Sequence, residues 1–266
     1  MWRIVNQPFM VLLFKNIKLV LNRVIDMEIL KELAEKYETP DFLNGDPSWF
    51  MHQVVEKQNQ EAIAFIASCL SYGSRKQFFP KIQYIVDCSK GNVYDWLKEG
   101  RFEHDIPDDD NCYYRLYTNS MMKRFLRAYR ELILQSGSLG EYLLRNGVDD
   151  AMKALETITS YFANHRIEVI VPKNTKSSCK RICMFLRWMV RDNSPVDLGL
   201  WDFIDKRTLI MPMDTHVLQE ACALGLLNSR NASMTSALRL TARMAEIFPD
   251  DPLKGDFALF GYGVNK

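Results

Sequence analysis

The chain has 266 residues, 47% hydrophobic and 12% aromatic, and a formal net charge of +1. Such a composition suits one large core or two modest lobes; it excludes a disordered chain or one basic throughout, so any nucleic-acid footprint must be local. Six cysteines stand without a C-x-x-C pair and four histidines without ligand spacing, so reduced thiols in a cytoplasmic monomer are expected, with no disulfide framework, metal or cofactor.

Residues 1–26 are apolar and basic, with no acid before Asp26. The apolar run from Phe9 to Phe14 is short, Lys15 interrupts its continuation and no small-residue cleavage site appears, which argues against a signal peptide. Nothing approaches the ~20 apolar residues of a membrane span. A surface-lying amphipathic helix is one reading; a non-native extension ahead of a start at Met27 is the one taken here.

A helix over 27–37 ends at Thr39-Pro40, and Asp46-Pro47 reads as the start of a helix to about Lys57. Residues 61–72 are apolar nearly all round, the mark of a buried central helix, which stops at Gly73 before Arg75, Lys76 and Gln77 open another. The acidic loop 105–111 (DIPDDDN) repels phosphate and belongs away from any DNA face. Residues 113–134 carry a long helical pattern in which Arg115, Lys123, Arg124, Arg127 and Arg130 read as a solvated face. Gly137 and Gly140 punctuate helices reaching about Arg145 and spanning 149–164, and only IEVIV at 167–171 is strand-like. After the helix at 233–248, Pro249 to Pro252 turns into a closing helix, LKGDFALFGYG. The fold class is all-α.

The stretch 171–228 carries the chemistry. Ile182, Cys183, Leu186, Met189 and Val190 make one apolar helix face, and Lys180, Arg187 and Arg191 share a stripe on the other side. No acid occurs from Val169 to Arg191, while Lys173, Lys176, Lys180, Arg181, Arg187 and Arg191 do. Helix-start amides near Ser177 add phosphate-binding capacity. Past a tryptophan-bearing connector, Asp214 is a helix N-cap type before Val217, Leu218, Ala221 and Leu224, with a stop at Gly225.

The segment MDTHVLQEACALGL resembles the aspartate-bearing helix start of the helix-hairpin-helix DNA glycosylases, the endonuclease III superfamily, and Lys180 matches the lysine opening that superfamily's preceding helix. Over about residues 27–266 the chain resembles the bacterial DUF2400 family, itself similar to the archaeal 8-oxoguanine glycosylase branch. The resemblance implies a two-lobed helical fold: a barrel from 60–212, a second lobe from 27–59 with 213–266, and a cleft between them lined by Lys180 and Asp214. It also implies that a loop at Tyr72 to Gln77, with Arg75, inserts into DNA; the alternative is an ordinary helical corner.

The implied reaction is excision of a damaged base, an oxidised purine among the candidates, with possible lyase activity on the abasic product. Asp214 would balance positive charge developing on the sugar, and the Lys180 amine would attack C1′ to form a Schiff base. An extruded base needs an aromatic pocket, for which Phe185, Trp188 and Trp201 are candidates. DNA contacts are assigned to Lys173, Lys176, Ser177, Arg187 and Arg191. Each also has a plainer reading: Asp214 as a cap, Lys180 as one of several lysines, the tryptophans as packing. The superfamily's Gly-x-Gly hairpin is missing from VPKNTKSSCK, where Asn174 is the residue suited to a left-handed turn. A non-catalytic nucleic-acid-binding relative is therefore the alternative function.

Overall fold

The computed structural model describes residues 27–167 and 169–266, so the expectation for 1–26 lies outside the described residues. In chain order the α-helices are α1 (27–37), α2 (Trp49–His52), α3 (Lys57–Leu70), α4 (Arg75–Ser89), α5 (Val93–Lys98) and α6 (Phe102–Asp105). A hairpin of β1 (Cys112–Tyr114) and β2 (Tyr117–Thr118) follows, paired antiparallel with a register shift. Then come α7 (Asn119–Ser136), α8 (Leu139–Arg145), α9 (Ala151–Asn164), α10 (Lys180–Val190), α11 (Thr215–Ala223), α12 (Met234–Ile247) and α13 (Lys254–Asn265). The fold is all-α, and no helix among the described residues is long and apolar enough to cross a membrane.

Helix α3 is the centre. Apolar side chains occupy nearly every position from Ala62 to Leu70, so the helix has no polar stripe to give to solvent and is buried all round. The Phe65 ring meets Phe125 and Tyr129 of α7, Phe162 of α9 and Phe185 of α10 at centroid separations of 5.1–5.8 Å. The one acid on this helix, Glu61, is buried where α8 begins. It accepts from the Leu139 and Gly140 amides at 2.8 and 3.2 Å and from the Trp201 indole at 3.0 Å. Burial nonetheless pushes its carboxyl above the usual range, the three hydrogen bonds opposing.

Helix starts follow their side chains. Thr118, Ser138, Asp150 and Ser233 each accept the amide three residues on, contacts worth about 1 kcal/mol apiece. Asp46 does not open a long helix; its carboxylate takes the Ser48 amide and hydroxyl at 3.0 and 2.6 Å, and α2 lasts one turn. The helix expected over 113–134 starts only at Asn119, because 112–118 is the hairpin, turned by Arg115 at φ +51°. The strand expected at 167–171 is a turn in its described residues, where the Ile170 and Val171 amides both bond the Ile167 carbonyl.

Candidate active site

Lys180 is the first residue of α10. The chain reaches it through a loop that folds on itself: Asn174 Oδ1 accepts the Lys176 amide at 3.1 Å, and Cys179 takes the left-handed conformation at φ +47° as the N-cap. Cys179, not Asn174, makes the sharp turn. Asp214 stands at the N-cap of α11, where its Oδ1 accepts the His216 amide at 2.9 Å. Its other oxygen accepts from Lys180 Nζ at 2.5 Å, across 34 residues of sequence. Burial alone would raise the Asp214 pKa, but the Lys180 charge and hydrogen bond, then the His216 amide, outweigh it and hold the carboxyl below its ordinary range. A carboxylate held this way stays anionic at neutral pH, and it is a better electrostatic partner than a base.

The pair lies in a groove of about 410 Å³. Tyr72 and Arg75 line it from the α3–α4 corner, Phe42 and Asp46 from the segment before α2, and His216 and Phe260 from α11 and α13. The Arg75 guanidinium sits 5.8 Å from the Phe260 ring centre and has no carboxylate partner within ion-pair distance among the described residues. Tyr72 is held between cations, with Arg115 and Arg181 at 5.4 and 5.3 Å from its ring centre. Arg181 is itself pinned by the Cys69 carbonyl and the Tyr117 hydroxyl, at 2.5 and 2.6 Å.

Several residues assigned from the sequence stand elsewhere. The stripe of Lys180, Arg187 and Arg191 is real, but only Lys180 is accessible. Arg187 forms part of the groove floor at 3% side-chain exposure, bound by Asp197 and Asp256, and Arg191 at 1% binds Asp251, Asp197 and Glu38. Neither is presented to phosphate, because Asp197, Asp251, Asp256 and Glu38 cover that face of α10. Phe185, Trp188 and Trp201 are core residues, with Phe185 packed edge-on against Phe65 and Trp201. The groove's aromatic surface comes instead from Phe42, Tyr72, Phe78 and Phe260. Lys173, Lys176 and Ser177 are exposed on the loop before α10, outside the groove, and Gln77 is exposed on α4.

Asp256 was missed by sequence reasoning. It lies on α13 at the groove floor, fully buried, and accepts from Arg187. Burial pushes its carboxyl up to about 6, with Arg187 pulling the other way. Its only sequence signal was an acid inside an otherwise apolar helix. Among the described residues, no group of three or more His, Cys, Asp or Glu side chains could hold a metal ion.

Neither a curated protein nor a solved structure matches the chain. The family model for DUF2400, described as a protein of unknown function, matches residues 46–265. That span covers most of the sequence, and the chain belongs to the DUF2400 family.

Proposed function

We propose that this chain is a DNA base-excision protein of glycosylase type, with Lys180 as nucleophile and Asp214 as its electrostatic partner. One observation carries the proposal: two residues singled out by a motif resemblance, 34 positions apart, are in contact at 2.5 Å inside a groove. The chemistry requires a cation-stabilising carboxylate beside an amine. Lys180 Nζ, once deprotonated, would form a bond to C1′ of the deoxyribose as the C1′–N bond to the base breaks, and the departing base takes a proton. Asp214 is suited to balance the cationic sugar because it remains ionised. Phe42, Tyr72, Phe78 and Phe260 offer aromatic faces for an extruded base, a role first assigned to Phe185, Trp188 and Trp201.

The groove lining also supports the two-lobed arrangement, because Tyr72, Arg75 and Lys180 come from 60–212 while Phe42, Asp214 and Phe260 come from the two flanking segments. DNA is the partner in this reading, held by Lys173, Lys176 and Arg75, and the setting is the cytoplasm. The missing hairpin glycines favour a binder that has lost catalysis, the second reading. Borohydride trapping on a panel of damaged oligonucleotides separates the two. A covalent complex that disappears in Lys180→Gln supports catalysis, and DNA binding without any trapped or cleaved product supports the binder.

A further inference from the structure

Several stretches of this chain lack acids, and two of them carry α10 and most of α12. One is 169–191; the other runs from Ala221 to Ala245, where Arg230, Arg239 and Arg243 stand with no carboxylate between Glu220 and Glu246. Residues 221–245 carry three arginines and no acid, and 169–191 carry six cations and no acid, so each is locally positive in a chain of net charge +1. The fold joins the two stretches. Ser177 and Ser233 form an isolated antiparallel bridge, so the loop carrying Lys173 and Lys176 is stitched to the segment that opens α12.

The cations at this junction are available. Lys173, Lys176, Arg230 and Arg239 are exposed, and none has a carboxylate within ion-pair distance among the described residues. Arg243 is also exposed but is paired with Glu246 at 3.1 Å. Met234, Ala237, Leu240 and Met244 face the core, which leaves Arg239 and Arg243, one turn apart, on the outer side. Ser236, Arg239 and Arg243 line a depression against the 226–229 turn. From Ser233 to Arg243 the helix advances about 15 Å, the length of roughly four nucleotides of one B-form strand.

We propose that this junction and the outer face of α12 form a phosphate-backbone track, along which one nucleic-acid strand runs between the Lys180 groove and Arg239. The proposal rests on the reading of the groove as a DNA site, and extends its footprint to a surface that the motif resemblance does not reach. Nucleic acid is favoured over an anionic membrane because the outer face carries Thr235 and Ser236 among its arginines, with Leu238 as its one exposed large apolar side chain. Repeated phosphates need regularly spaced cations and hydroxyls, whereas a membrane surface needs a continuous apolar face to insert.

The test is DNA affinity against salt for the full chain and for Arg230→Ala/Arg239→Ala, with Lys98→Ala, an exposed lysine at the end of α5, as control. Each lost phosphate contact should flatten the plot of log K against log salt by about 0.9, so the double variant should lose nearly two units of slope and bind roughly tenfold more weakly at low salt. Arg230→Lys/Arg239→Lys should restore the slope, and Lys98→Ala should not change it. Protection of Arg230 and Arg239 from phenylglyoxal by added DNA gives a second readout that needs no variant to fold. If wild type binds DNA but the slopes coincide and both arginines stay reactive, the track is wrong and the groove reading stands. If wild type binds no DNA at low salt, or binds anionic vesicles instead, the groove reading falls and the track with it.

Discussion

Replacing Arg191 by methionine strips two of three buried or nearly buried carboxylates of the only cation that pairs with them among the described residues. Arg191 Nε and Nη2 grip Asp251 at 2.8–3.1 Å, Nη2 reaches Glu38 at 2.8 Å and Nη1 binds Asp197. Side-chain exposures are 1% for Arg191, 0% for Asp197, 10% for Asp251 and 11% for Glu38, so solvent does little to relieve the loss. Breaking a buried pair from one side costs about 3–5 kcal/mol, because the remaining charge is left unpaired. Asp197 keeps Arg187, which argues for the lower half of that range. At about 2–4 °C per kcal/mol for a domain of this size, Tm should fall by roughly 10 °C. Urea unfolding followed by circular dichroism measures the free-energy deficit, and a thermal scan the fall in Tm. The deficit should shrink toward acid pH, since burial already raises the Asp197 pKa and the variant removes one of the two arginines that oppose that rise. Adding Asp251→Asn should recover part of the loss. A deficit under about 1 kcal/mol, or one equal at pH 5 and pH 8, would refute the claim that these pairs are buried and mutually dependent.

Asp214→Asn should keep most of the helix cap, since asparagine caps about as well, yet slow base release by orders of magnitude; full activity in both Asp214→Asn and Asp214→Ala on a substrate that wild type processes would reduce Asp214 to a cap. Asp256, held up near 6 against an ordinary value of 3.8, favours the folded state when protonated, so its contribution is complete below about 3.8 and lost as pH rises through about 6. Stability should therefore decline between about pH 4 and 6 by up to about 1.4 kcal/mol per unit from this group, levelling off above that, and chemical denaturation of Asp256→Asn should show a flatter profile. Glu61→Gln places an amide group against two backbone N–H donors and an indole, and should cost about 1–3 kcal/mol in a urea titration. Wild-type DNA affinity should weaken steeply between 50 and 200 mM salt, and salt-independent binding would count against phosphate contacts.

Periodicity was enough where a helix has one apolar face and a side-chain cap, as at α9, α11 and α12. It was enough for the Lys180–Asp214 pair only because a motif resemblance pointed to both ends. The hairpin at 112–118 escaped because its turn has no glycine or asparagine; Arg115 adopts positive φ instead, and the aromatic run CYYRLYT was the overlooked strand signal. Arg187 and Arg191 were placed correctly on one stripe, but periodicity cannot say what covers a stripe. Asp197 lies only 10 and 6 residues from them, past the end of α10, while Asp256, Asp251 and Glu38 lie 69, 60 and 153 residues away, separations that no local pattern encodes. The same limit misplaced the aromatic pocket: Phe185 and Trp188 are near Lys180 in sequence, whereas Phe42 and Phe260 are near it in space.

These long-range contacts explain how the pair holds its geometry. Helix α10 carries Lys180 at its start and, two turns on, Arg187. Arg187 is bonded to Asp256 of α13, and α13 packs along α11. That packing is close: a Cβ at Gly263 would come within 2.9 Å of His216 Cβ, and one at Gly261 within 2.4 Å of the Tyr37 ring of α1. Helix α11 in turn presents Asp214 at its N-cap, which returns to Lys180. The path α10–α13–α11–α10 is thus closed by two ion pairs and one tight helix contact, so a shift at any join must move the Lys180–Asp214 distance or break another join. A surface cap would need no such support, since its own helix supplies its only partner. The buried charges beneath the groove are costly to fold, and a site that must keep an amine and a carboxylate in register is a physical reason to keep them.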